Sequence, residues 1–164
     1  MNRAKFNELA TLEASRLSRN GRSACLLLID LDNYKQINDT YGHPDGDQVL
    51  REVAASISSL IRVTDVAARF GGDELTVLLP DTTLVGGAAV AEKLRRVIEE
   101  HRVEVPVGRV SITASVGVSS LVADSSPTFD TSYRAADAAL YRAKAGGRNR
   151  VEVADAVPAD LFPS

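Results

Sequence analysis

The fold is decided by residues 66–79, which read VAARFGGDELTVLL. Two short runs of alternating apolar side chains flank a pair of glycines, Gly71 and Gly72. Alternation with a period of two is typical of a β-strand with one buried face, and a glycine pair between two such runs favours a reversal of the chain. The sequence therefore predicts a β-hairpin, with the acidic residues Asp73 and Glu74 directly after its turn.

A strand is also predicted upstream, over residues 24–31, where nearly every side chain is apolar. A continuous apolar run is typical of a central strand that is buried on both faces. This run leads abruptly into polar chain, with Asp30 at its end and Asp32, Asn38 and Asp39 beyond it. A carboxylate at the end of a buried strand is unfavourable unless it is solvated, paired or bound to a cation.

The remaining patterns predict helices and two more strands. Helical spacing of apolar side chains indicates a leading helix over residues 6–17, a second from Asp47 onward, a third over 85–98 and a fourth over 133–143. Alternation over residues 110–119 predicts one strand, and Val151 with Val153 a short final strand. The hairpin interrupts strict β-α alternation, so we expect an α+β fold with a mixed central sheet flanked by helices.

Composition excludes several classes of protein. The chain has 164 residues, a formal net charge of −3 and a single cysteine, Cys25, in an apolar run that predicts a buried thiol. A pI of about 5.4 argues against a nucleic-acid-binding face. No apolar stretch is long enough to cross a bilayer, and no signal-peptide core follows the N-terminus, so we expect a cytoplasmic protein.

Spacing alone leaves the role of the acidic residues open. Magnesium takes oxygen ligands and commonly uses one or two carboxylates with substrate phosphates, so Asp30 and Asp73 could share a metal if the hairpin lies beside the first strand. Both are equally well explained as ordinary loop and turn residues.

Four motifs in order resemble GGDEF-domain diguanylate cyclases. They are RFGGDEL at residues 69–75, DLDNYKQINDTYGHPDGD at 30–47, SVGV at 115–118, and DAALYRAK at 137–144 followed by GRN at 147–149. The resemblance covers residues 24–153, nearly the whole chain.

The resemblance implies a fold of the nucleotidyl-cyclase and polymerase-palm kind. It implies condensation of two GTP into cyclic di-GMP with release of two pyrophosphates, across a homodimer interface. Magnesium, with manganese as the alternative, would be the cofactor, two ions in each half-site. Residues 1–21 would form an N-terminal helix or linker, 22–155 the catalytic domain and 156–164 a loose tail.

The resemblance also assigns the site residues. Catalysis would rest on Gly71, Gly72, Asp73 and Glu74. The metal ligands would be Asp30, the Leu31 carbonyl, Asp73 and Glu74, the last either as a ligand or assisting removal of the 3′-hydroxyl proton. Asn38 and Asp47 would read guanine, although the residues alone, without the resemblance, favour Asp47 as a helix N-cap. The residues that would hold phosphate are Asn33, Tyr34, Lys35, Lys144 and Arg148.

Two further features bear on activity and regulation. Leu75 and Tyr34 stand where the family often has phenylalanine, and both changes conserve apolar packing. Arg62 and Asp65 form an RxxD pattern where the family has its product-inhibition site; the alternative is a solvated surface charge pair. The competing functions are a catalytically silent receptor for cyclic di-GMP or GTP, and a related cyclase that makes a mononucleotide.

Overall fold

A computed structural model describes residues 1–121 and 130–155. Its five helices in these ranges are α1 Arg3–Asn20, α2 Tyr34–Tyr41, α3 His43–Leu60, α4 Leu84–Glu100 and α5 Asp130–Ala145. The strands are β1 Cys25–Leu31, β2 Val66–Arg69, β3 Glu74–Leu79, β4 Arg102–Val105, β5 Gly108–Ser111, β6 Ala114–Ser120 and β7 Val151–Val153. The tail expected over 156–164 lies outside the described residues.

Five strands form one mixed sheet in the order β2-β3-β1-β6-β7. The pairs along it are antiparallel except for β6 and β7, which are parallel. Strands β4 and β5 form a separate antiparallel ribbon. The mixed sheet flanked by helices confirms the expected α+β fold.

The two faces of β1 build two cores. Side chains such as Leu27 and Ile29 pack with α2, α3, α4 and the β4–β5 ribbon. The alternate residues, including Leu26 and Leu28, pack with α1 and α5. Burial on both faces explains why the sequence of β1 is apolar without alternation.

The predicted hairpin is present as β2 and β3, and Leu75 packs inward as expected, at 6% exposure. Its turn is longer than the two-residue turn that a glycine pair favours. Arg69 pairs with Leu75, and the Phe70 amide donates to the Glu74 carbonyl at 2.9 Å, which leaves Gly71 and Gly72 within a wider loop.

The single strand predicted over residues 110–119 is wrong. The chain leaves the β4–β5 ribbon at Ser111 and enters the main sheet at Ala114. The Thr113 carbonyl accepts a hydrogen bond from the Asp32 amide at 2.9 Å, which holds the crossing point against the end of β1. The alternation keeps its phase through the break, so the sequence pattern does not reveal it. Strand β4 was not predicted.

The sequence patterns also misplaced the start of α3 and missed α2. Helix α3 begins at His43, with Gly42 as its N-cap and a proline in its first turn. Asp47 therefore lies inside the helix, and its alternative role as an N-cap is wrong. Across the described ranges, no helix combines the length and apolar character needed to span a membrane.

Helix α5 packs directly on β6 at Gly117. A Cβ atom at this position would overlap the backbone of Ala136 and Leu140. Glycine is therefore required here by the close approach of a helix to a strand.

We predict that Gly117→Ala lowers the free energy of unfolding by about 2 kcal/mol or more, because backbone atoms have no rotamer with which to yield. Gly72→Ala is the matched control, since a Cβ there meets no described heavy atom within 4 Å and its φ is not positive. Urea unfolding measures both. Equal stability of the two variants would contradict the packing argument.

Candidate active site

The acidic ends of β1 and of the hairpin turn meet. Asp30 pairs with Glu74 across β1 and β3, and the Leu31 amide donates to the Asp73 carbonyl at 3.1 Å. Burial raises the pKa of the Asp30 carboxyl to about 6; a hydrogen bond from Lys144 opposes the shift, and the neighbouring Asp73 charge adds to it. Two carboxylates this close disfavour joint ionisation unless a cation lies between them.

The Asp30 carboxylate is only partly satisfied. Its Oδ2 contacts the Lys144 ammonium, whereas its buried Oδ1 has no hydrogen-bond partner among the described residues. An orphaned, buried carboxylate oxygen beside a second carboxylate is suited to a hard divalent cation. Groups of three or more histidine, cysteine, aspartate or glutamate side chains arranged for a metal are not found in the described ranges. The donor set therefore fits a metal that takes some of its ligands from these carboxylates and the others from a substrate phosphate.

Cations surround this acidic pair in a cleft of about 220 Å³. The cleft is lined by Asp30, Leu31, Asp32, Asn33, Tyr34, Lys35, Asp73, Lys144 and Arg148. The structure thus brings together all five candidate phosphate residues with three of the four candidate metal residues. Three of its side chains are basic, so the cleft can hold a polyanion next to a metal.

Glu74 is placed differently. Its Oε1 accepts a hydrogen bond of 2.9 Å from the Tyr133 hydroxyl of α5, and it does not line the cleft. Tyr133 also stacks on Phe70, with ring centroids 6.0 Å apart, and Phe70 packs edge-on against Phe6 of α1 at 5.2 Å. Helices α1 and α5 therefore both contact the residues that flank the glycine turn.

The candidate guanine residues lie at the junction of α2 and α3. The Asn38 side chain lies against Gly46, where a Cβ atom would overlap it, and its buried Oδ1 finds no donor among the described residues. The Tyr34 hydroxyl donates to the Gly46 carbonyl at 2.9 Å. Burial raises the pKa of Tyr34, and the charge of exposed Asp47 raises it further. Tyr34 thus links this junction to the cleft.

The glycines of the turn are not required by the fold. Neither Gly71 nor Gly72 has a positive φ, and a Cβ at Gly71 would meet only Glu74 Cβ, at 3.8 Å. The Arg69 guanidinium donates to both of their carbonyls, at 2.9 Å each, and fixes the turn from outside. Absent side chains that packing does not demand leave the backbone open to a ligand.

The Arg62 and Asp65 pair lies elsewhere, in the turn after α3. Asp65 accepts from the Arg62 backbone amide at 2.7 Å and from its Nη2 at 3.0 Å. Nη2 also donates to the Pro80 carbonyl at 2.7 Å and to the Thr82 hydroxyl at 2.8 Å. The Asp65 side chain is 3% exposed and that of Arg62 is 55% exposed, so this is a built contact and not a solvated charge pair.

Comparison with known proteins identifies the family. The family model described as "Diguanylate cyclase, GGDEF domain" matches residues 1–150. The chain belongs to the GGDEF family.

Relatives of this GGDEF domain agree with that assignment. Diguanylate cyclase A of Treponema denticola is 46% identical over 126 residues, 77% of this chain and 34% of the relative. Diguanylate cyclase DgcP of Pseudomonas aeruginosa is 39% identical over 153 residues, 93% of this chain and 22% of the relative. The chain therefore spans only about a fifth to a third of the length of these curated relatives.

The crystal structure of the GGDEF domain of DgcB from Caulobacter crescentus, in complex with c-di-GMP, superimposes with a TM-score of 0.86. It is 32% identical in sequence, and the match covers 94% of this chain and 89% of that one. The resemblance in sequence and the expected fold are both confirmed.

Three residues around the cleft of this GGDEF domain were not predicted from the sequence: Asp32, Tyr133 and Asn149. Asp32 stood beside Asp30 in the sequence with nothing to distinguish it. Tyr133 was used only as part of a helical stripe. The signal available for Asn149 was the residue type, because asparagine adopts the left-handed backbone that the structure shows more readily than most residues.

The Tyr133 contact predicts a change of stability with pH. Burial, and then the hydrogen bond to Glu74, raise the pKa of Tyr133 from 10.0 to about 12. The folded protein keeps this proton over a range in which the unfolded chain releases it, so the free energy of unfolding falls as pH rises through that range.

We expect Tyr133→Phe to lose less stability than the unsubstituted protein as the pH rises from about 10 to about 12. Urea unfolding at several pH values measures this. Tyr141→Phe is the control, because Tyr141 is 74% exposed on the same helix. Identical pH profiles for the unsubstituted protein and Tyr133→Phe would count against the contact.

Proposed function

We propose that this chain is the catalytic domain of a diguanylate cyclase, which joins two GTP molecules into cyclic di-GMP and releases two pyrophosphates. The observation that carries the proposal is the convergence of Asp30 and Asp73 with Lys35, Lys144 and Arg148 in one cleft. Opposite charges in this arrangement suit a metal-bound triphosphate. The names of the relatives support the same activity.

Asp30, Asp73 and the Leu31 carbonyl would hold magnesium, or manganese, at two ions in each half-site. When bound, such ions lower the pKa of an attacking hydroxyl and neutralise charge on the α-phosphate and the leaving pyrophosphate. Lys144, Arg148 and Lys35 would bind triphosphate oxygens, with Asn33 and Tyr34 beside them. Glu74 is held by its hydrogen bond from Tyr133, and it would accept the 3′-hydroxyl proton or direct its removal.

Asn38 and Asp47 would select guanine. The N1–H and N2–H₂ groups of guanine are donors that a carboxylate accepts together, whereas N1 of adenine is itself an acceptor. The buried Asn38 Oδ1, which has no donor in the part of the chain that the structure describes, supports this role. A site built on such hydrogen bonds rejects the wrong nucleotide strongly, because its own polar groups would then be left without partners.

The reaction itself argues for a homodimer. Each 3′-hydroxyl must attack the α-phosphate of the other nucleotide, so two equivalent half-sites have to face each other. The open glycine turn would let the two nucleotides approach, because it presents no side chains between the half-sites.

We also propose that product binds at Arg62 and regulates synthesis. Its guanidinium is exposed while Asp65, Pro80 and Thr82 fix its orientation, in a cleft of about 440 Å³. A guanidinium can donate to O6 and N7 of a guanine. Since Asp65 is 3% exposed, its role here is to orient Arg62 and not to read the base.

The second candidate function is a silent receptor that binds cyclic di-GMP without making it. The Arg62 cleft supports it, but the intact acidic pair gives no reason for silence. Mass spectrometry of products from GTP, ATP or a mixture separates the cyclase, the receptor and a mononucleotide cyclase.

The first prediction from this proposal concerns Asp73→Asn. Removing one carboxylate charge from the metal site should lower cyclic di-GMP synthesis by at least about 100-fold. The substitution conserves shape at a turn, so thermal unfolding should change little. Product is measured by mass spectrometry. Undiminished turnover would overturn the metal site.

The second concerns feedback. Arg62→Ala should leave the initial rate close to that of the unsubstituted protein and raise the cyclic di-GMP concentration that halves it by about tenfold or more. Inhibition of the unsubstituted protein should be non-competitive with GTP, because the two clefts are separate. Arg109→Ala is a control, since Arg109 is also an exposed arginine in an ion pair, and neither it nor its partner Glu104 lines this cleft. Superimposable inhibition curves for Arg62→Ala and the unsubstituted protein would return Arg62 to a structural role.

A further inference from the structure

Asp32 is a buried carboxylate whose oxygens are fully engaged. It is 7% exposed. Its Oδ1 accepts from the Ser115 hydroxyl at 2.6 Å, and its Oδ2 accepts from the Thr113 hydroxyl at 2.8 Å and from the Asn149 backbone amide at 3.0 Å. Asp30, two residues earlier, instead has a buried oxygen without a donor among the described residues. The two acids therefore have different tasks, and Asp32 is not the one available to a metal.

The segment after α5 needs such an anchor. Arg148 and Asn149 have φ values of 64° and 46°, in the left-handed region that non-glycine residues seldom adopt. Such conformations persist where the surroundings fix them. Here the surroundings are hydrogen bonds from the segment to three separate elements.

Asn149 makes most of these bonds. Its amide donates to Asp32, its Oδ1 accepts from Arg95 of α4 at 2.7 Å, and its Nδ2 donates to Glu99 of the same helix. The Arg148 amide donates to the Ala143 carbonyl of α5 at 3.0 Å. The backbone on both sides of the Arg148 side chain is thus fixed.

These contacts join the segments that supply two of the three cations of the cleft, Lys35 and Arg148. Asp32 immediately precedes Asn33, Tyr34 and Lys35, and through Asn149 it is bonded to the segment that carries Arg148. The geometry points to Asp32 and Asn149 as positioning residues, which set where the Arg148 guanidinium lies relative to the triphosphate. This inference rests on the proposed function, in which Arg148 binds phosphate.

A double-mutant cycle tests it. The variants are Asp32→Ala, Arg148→Ala and the double variant. Titration calorimetry measures the affinity of each, in the presence of magnesium, for a GTP analogue with a non-hydrolysable α,β bridge. Asp32→Ala should weaken binding by about tenfold when Arg148 is present and by about twofold or less when it is absent, because its effect passes through Arg148. A purely structural role would weaken binding equally in both backgrounds, which would overturn the inference.

Ser119→Ala is the matched control. Ser119 is another buried serine of β6, 1% exposed, and its hydroxyl donates to the Ser132 carbonyl at 2.7 Å instead of to Asp32. It should lower stability without changing affinity. A loss of affinity like that of Asp32→Ala would mean that any weakening of β6 suffices, and would also overturn the inference.

Asn149→Gly covers the case in which Asp32→Ala does not fold. Glycine tolerates the left-handed backbone and keeps the amide that donates to Asp32, but it removes the bonds to Arg95 and Glu99. Asn149→Gly should weaken binding of the GTP analogue several-fold when Arg148 is present. It should not weaken binding further in the Arg148→Ala background. If Arg148→Ala alone leaves affinity unchanged, the phosphate role in the proposed function fails, and the positioning role fails with it. A clear Arg148 effect without coupling overturns only the positioning role.

Discussion

Strand β1 is hydrogen-bonded along both edges and buried on both faces, and the other elements take their positions from it. Its partners are β3 on one side and β6 on the other, and two cores form above and below it. A strand so enclosed can change from apolar to acidic only where it leaves the sheet. Asp30 lies at that point, so the same constraint that builds the fold places a partly desolvated carboxylate at its edge.

Most of the fold and the acidic centre could be predicted from the sequence. Apolar continuity identified β1, alternation identified the hairpin, and Asp30 with Asp73 followed once the two strands were neighbours. The predictions that failed did so because the apolar pattern of the sequence carried no information about those features. The alternation runs in phase through Thr113, so the passage from ribbon to sheet is invisible, and the polar side chains of α2 concealed a short helix.

Partners of side chains were harder to predict than positions of elements. Asp30 and Asp32 are the same residue type two positions apart. Among the described residues, however, one oxygen of Asp30 is buried without a donor, whereas Asp32 accepts three hydrogen bonds. Those donors come from Thr113 just before β6, from β6 itself and from the segment after α5, more than 80 residues away along the chain. Sequence patterns report local periodicity, and only the folded chain shows which of two acids has its oxygens satisfied by hydrogen bonds from its neighbours.

The missing side chain at Gly117 has a mechanical consequence. Helix α5 rests on β6 backbone to backbone, so no flexible side chain lies between them to absorb a displacement. Tyr133 and Lys144 extend from the two ends of α5 to Glu74 and Asp30, residues that face each other across adjacent strands. Eleven residues separate these two arms, which fixes their spacing along the helix axis at about 17 Å. One helix therefore carries both side chains, so a movement of α5 along its axis would displace the Tyr133 and Lys144 contacts together.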